Sequence, residues 1–114
     1  MNDKALALET VLLPVSNKIK LKLSDMENQF FCGFIIMTME NPITNDTALE
    51  QCVLMSFFEK NFKKITLIKS GKYNLTAAEA IAFKRLLFYT TMRDQADVIR
   101  NKIIGYLHQK ITYF

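Results

Sequence analysis

KIKLKLSDMENQFFCGFIIMTM, residues 18–39, decides between two architectures. From Lys18 to Leu23, lysine alternates with Ile19, Leu21 and Leu23, and a period of two marks a half-buried strand. On that reading Ser24–Asn28 is a turn and Phe30–Met39 is a second strand. Helical spacing competes with it. Ile19, Leu23, Met26, Phe30 and Met37 recur at intervals that place them on one helical stripe. Ser24 and Glu27 also stand at capping-box spacing, so a helix can start there. Gly33 weakens a helix, or marks a bulge or a close crossing. Asn41-Pro42 ends either element.

Composition favours the helical reading. The 114 residues include 3 Gly and 2 Pro, so connections should be few and elements long. Half the residues are hydrophobic and 23% are charged, a globular balance. The expected fold class is all-α, a compact bundle of four or five helices forming a single helical domain over residues 1–114. The alternative is α+β, with an N-terminal β-hairpin at about 18–39 packed on C-terminal helices. In that version Ile65–Ile68 adds a further strand or continues a helix. No internal repeat or low-complexity tail stands out.

Around the deciding stretch, punctuation residues mark the other elements. Asp3–Leu13 suits a short helix ended by Pro14. Thr47 with Glu50, Thr76 with Glu79, and Thr91 with Asp94 each repeat the capping-box spacing and predict three helix starts. The second helix should end near Lys60, Lys63 and Lys64, since cations suit a C-terminus. The third, from Thr76 to Tyr89, reads as largely buried, with Lys84 and Arg85 reaching out. In the last, Met92, Ala96, Ile99, Ile103, Tyr106 and Leu107 form an apolar stripe, and Asp97 lies within reach of Arg93 and Arg100. Gly105 sits in that apolar segment, where close packing would explain it. Ile111–Phe114 is apolar enough to dock on the core or on another chain.

Reactive constellations are poor. His108 is the only histidine, and no motif links it to Cys32 or Cys52, both of which lie in apolar runs and read as core. One His and two distant Cys do not supply a zinc set. Asp94 and Asp97 are accounted for by capping and by arginine neighbours. The isolated glycines form no phosphate cradle. The expectation is a non-enzyme without cofactor or metal.

Charge is unevenly spread. Residues 1–40 carry 4 basic and 5 acidic side chains, residues 41–74 carry 5 and 3, and residues 75–114 carry 6 and 3. Lys60, Lys63, Lys64, Lys69 and Lys72 form a run without an intervening acid, a candidate anion or nucleic-acid patch. The Phe- and Met-rich composition points to a protein partner. Phe57, Phe58, Phe62, Ile99, Ile103 and Tyr106 are the candidate interface. The function expected is a non-catalytic interaction or structural subunit of an oligomer or larger assembly, with a protein partner or itself. The alternative is a small basic nucleic-acid-binding protein.

No signal peptide is expected, because Asp3, Lys4 and Glu9 interrupt the apolar region it needs. The longest apolar stretch, Phe30–Met37 extended to Met39, is about half the length that spans a bilayer. A cytoplasmic location is expected, and a membrane partner is not.

Overall fold

A computed structural model describes residues 18–41, 46–90 and 94–111. Five helices and a two-stranded ribbon are built from them. The alternating segment is strand β1, Ile19–Lys22, which buries Ile19 and Leu21 and exposes Lys20 and Lys22. Its partner is β2, Lys72–Leu75, in the complementary phase, with Tyr73 and Leu75 buried. The pairing is antiparallel: Ile19 opposite Leu75, Lys20 opposite Asn74, Leu21 opposite Tyr73, Lys22 opposite Lys72.

Phe30–Met39 belongs to helix α1, Asp25–Glu40. Its buried residues Asn28, Phe31, Cys32 and Ile35 fall on one face, the spacing that separates a helix from a strand in an almost wholly apolar run. Ser24 caps it as expected. The Ser24 hydroxyl accepts from the Glu27 amide at 3.3 Å, and the Ser24 amide donates to Glu27 Oε1 at 2.9 Å. Helix α2 is Ala48–Lys60, and α3 is the short Phe62–Thr66. Ile65 is therefore helical, while Leu67 and Ile68 lie in a turn. Helix α4, Ala77–Tyr89, opens with the second full capping box, Thr76 with Glu79. Helix α5 is Asp94–Ile111, and Asp97 pairs with Arg100 at 2.8 Å. The expected Asp3–Leu13 helix, Pro14, Pro42, Thr91, Arg93 and the end beyond Ile111 lie outside the described residues.

Several local expectations change. Thr47 forms no capping box with Glu50; its hydroxyl donates to Gln51 Oε1 at 3.1 Å, and Glu50 pairs with Arg85 at 3.3 Å. Cys32 is buried, but Cys52 lies exposed on α2. Helix α4 buries only one face, since Ile81, Phe88 and Tyr89 are exposed. Gly33 and Gly105 permit no close crossing: a Cβ at either would meet nothing within 4 Å.

The structure also exposes a repeat hidden in the chain. Lys20, Leu23, Ser24, Glu27 and Phe31 match Lys72, Leu75, Thr76, Glu79 and Phe83 at one constant offset. Each set is a strand, a capping box and the first core aromatic of a helix. At the same offset Leu21 matches Tyr73, and these two are also direct partners in the ladder. An approximate two-fold axis therefore passes between them, perpendicular to the ribbon. It relates β1–α1–α2 to β2–α4–α5. Helix α2 packs on both α1 and α4, and α5 packs on both α4 and α1. Phe31 and Phe83 meet edge to face, with ring centroids 5.5 Å apart.

The two capping-box glutamates follow the same symmetry. Each is buried, and each is met by the second helix of the opposite unit. Lys60 of α2 pairs with Glu79 at 2.7 Å, and the Tyr106 hydroxyl of α5 donates to Glu27 at 2.9 Å. Burial pushes the Glu27 carboxyl up, but hydrogen bonds from Ser24 and Tyr106, with Lys102 nearby, outweigh it and hold the group below its ordinary value of 4.5. A carboxylate held low in the folded state stabilises the protein above its unfolded pKa, and that contribution fades as pH falls through the folded value. Tyr106→Phe should cost about 1 kcal/mol near neutral pH. Urea unfolding should show the deficit shrinking as pH falls below the ordinary carboxylate range and through the lowered folded value, where Glu27 becomes protonated in both states.

A tight turn delivers the chain from α3 into β2. Ile68 has φ 51°, and the Lys69 amide donates to the Lys64 carbonyl at 2.9 Å while the Ile68 amide donates to the Ile65 carbonyl at 3.2 Å. This is the left-handed helix stop that glycine ordinarily fills, here occupied by a β-branched residue. Three residues later Gly71 has φ 67°, and a Cβ there would lie 2.7 Å from the Leu23 carbonyl oxygen. Ile68→Gly should stabilise the fold by about 1 kcal/mol, and Gly71→Ala should destabilise it by about 1–3 kcal/mol. Denaturation midpoints that move together in either direction would contradict this.

Candidate nucleic-acid interface

The ribbon has two faces of opposite character. Ile19, Leu21, Tyr73 and Leu75 point into the core. Lys20, Lys22, Lys72 and Asn74 point to solvent, with Lys18 exposed just before β1. Strand alternation dictates this split, because successive side chains take opposite sides. Neither Lys18–Ser24 nor Lys60–Ala78 contains a carboxylate. Pairing β1 with β2 brings these two lysine-bearing segments onto one surface.

Lys22 stands directly opposite Lys72. Like charges at that position destabilise a ladder. No described carboxylate forms an ion pair with Lys18, Lys20, Lys22, Lys63, Lys69 or Lys72; the three ion pairs among described residues involve Lys60, Arg85 and Arg100. Among the described residues, the face therefore offers ammonium groups that no carboxylate pairs with.

Of the expected basic patch, Lys64 and Lys72 meet at the ribbon. The Lys64 ammonium donates to the Lys72 carbonyl and lies 4.7 Å from the centre of the Tyr73 ring. Lys63 is exposed on α3, and Lys69 is exposed in the turn that leads into β2. Lys60 is committed to Glu79 and leaves the patch. Local periodicity does not join Lys18, Lys20, Lys22 and Asn74 to this patch, because the pairing of residues 19–22 with 72–75 is long-range.

Beneath the ribbon, Tyr73 anchors β2 to α1. Its hydroxyl donates to Asn28 Oδ1 at 2.6 Å and lies 3.4 Å from Cys32 Sγ. Burial pushes both the Tyr73 hydroxyl and the Cys32 thiol above their ordinary values. Cys32 is thus a neutral, enclosed thiol that supports the ribbon floor. His108 sits 2.8 Å from the Lys84 ammonium through Nδ1, on exposed surface.

The expected apolar interface does not form one outward face. Phe57 and Ile103 are core residues, for helix periodicity turns them inward with Leu54 and Leu107. Phe58, Ile99 and Tyr106 are partly buried and pack against that core. Phe62 alone of the six is strongly exposed, at 54%. A different apolar surface lies between α2 and α4, in a groove of ≈ 320 Å³ lined by Leu49, Val53, Ala78 and Ile81, with the Glu50–Arg85 pair beside it. No described helix is long and apolar enough to cross a membrane.

Comparisons with known proteins found no matching family model, and no curated protein or solved structure with significant similarity to this chain.

Proposed function

We propose that this chain is a non-catalytic nucleic-acid-binding protein whose ribbon enters the major groove of duplex DNA. The observation that carries this is the pairing of β1 with β2. It places Lys20, Lys22 and Lys72 on one solvent face, with Asn74 beside them and no described carboxylate in an ion pair with any of the three lysines. The major groove of B-DNA, about 12 Å wide, admits a two-stranded ribbon. Lys18, Lys63 and Lys69 are positioned in sequence at the ribbon's approaches, where phosphate contacts set register and orientation. The deep, narrow major groove of A-form RNA does not admit such an element.

Binding of this kind weakens linearly in log–log terms as salt rises, because neutralised phosphates release counterions. Lys20→Ala with Lys72→Ala should lower the slope by about 2 in fluorescence anisotropy titrations on a duplex. Lys110→Ala, on exposed surface at the end of α5, should leave it unchanged. An unaltered slope in the double variant removes the ribbon as the binding face.

A second reading, a subunit that associates with another copy of itself, rests on the α2–α4 groove. Leu49 is 75% exposed and Ile81 is 41% exposed along it, and monomers seldom leave large contiguous apolar patches uncovered. Light scattering of the purified chain tests it. Association abolished by Leu49→Asp supports the groove as the contact, and a monomer at all concentrations overturns it.

A further inference from the structure

The approximate two-fold axis makes the outer face of the ribbon nearly self-similar, and one residue breaks the match. The axis between Leu21 and Tyr73 relates Lys20 to Lys72 and Lys22 to Asn74. Seen face on, one end of the ribbon carries Lys22 beside Lys72, and the other carries Lys20 beside Asn74. Successive residues on one face of a strand are about 7 Å apart, close to two base-pair steps. The two ends therefore face different base pairs.

The two side chains at the broken position have different chemistry. An ammonium offers donors only, and suits the two acceptors, O6 and N7, on the major-groove edge of guanine. A carboxamide offers a donor and an acceptor, which match N7 and the N6 amino group of adenine. Asn74 is exposed and has no hydrogen bond from its side chain to any described residue, so its amide is available to a base edge.

We propose that the ribbon reads a non-palindromic duplex, with guanine under the Lys22–Lys72 end and adenine under Asn74. This rests on duplex binding by the ribbon. Asn74 is the residue that sets the asymmetry, and the lysines around it supply affinity with less discrimination. A homologous pair of lysines at both ends would instead favour a site symmetric about its centre.

Selection of the full-length chain against randomised duplex DNA, followed by sequencing, tests this. The expected consensus lacks two-fold symmetry and contains a fixed adenine. Replacing that A·T pair by G·C should weaken binding about tenfold. Asn74→Lys should move the preference at that position to guanine and make the consensus palindromic. Asn74→Ala should lose the adenine preference while keeping the salt slope. A palindromic consensus for the unaltered chain, or the same consensus for Asn74→Lys, overturns the asymmetric reading and leaves duplex binding in place. Failure to retain any duplex overturns both.

Discussion

The ladder between Ile19–Lys22 and Lys72–Leu75 is the constraint on which the rest of this structure depends. A two-stranded ribbon alone is marginal in water. Here its inner face supplies Ile19, Leu21, Tyr73 and Leu75 to a core completed by all five helices. Each strand runs almost directly into a capped helix, so fixing the ladder also fixes where α1 and α4 begin. Helices α2 and α5 then fill the spaces on either side, each touching the first helix of both units. The outer face is left to solvent, and with it the lysines.

Polar groups inside the fold reinforce that ladder rather than weaken it. A buried carboxylate or hydroxyl is costly unless it is hydrogen bonded. Glu27 and Glu79 each satisfy a helix start and take a partner from the opposite unit. Tyr73 and Asn28 tie the second strand to the first helix. These bonds are directional, so a slipped register would strand several of them. Hydrophobic burial holds the halves together, and the polar contacts select this one alignment.

Much of the local structure was legible in the sequence. Lysine alternation marked β1, and the Ser24 and Thr76 boxes marked the starts of α1 and α4. The ambiguity at Phe30–Met39 arose because an almost unbroken apolar run contains both periods. The partner of β1 was hidden because Lys72–Leu75 is only four residues long and includes Asn74, a poor strand former. Without that partner, Lys18, Lys20 and Lys22 could not be joined to the later lysines. Phe57 and Ile103 looked like interface residues because segments rich in apolar residues on several sides do not declare which side faces the core. The repeat is faint in the sequence because few positions are identical between the halves. Others match only in kind, as with Ile35 and Leu87 in the two helices.

The joining of both halves in one chain has a thermodynamic consequence. A ribbon built from two separate molecules would come apart on dilution, with its stability tied to protomer concentration. In this chain the second strand is held near the first by the polypeptide itself, at an effective concentration set by the intervening segment. The ribbon therefore forms as a unimolecular event, with no second molecule needed to supply its other strand. Fusion also frees the two halves from identity. A substitution such as Asn for Lys on one strand alters one end of the surface alone, which no homodimer can do.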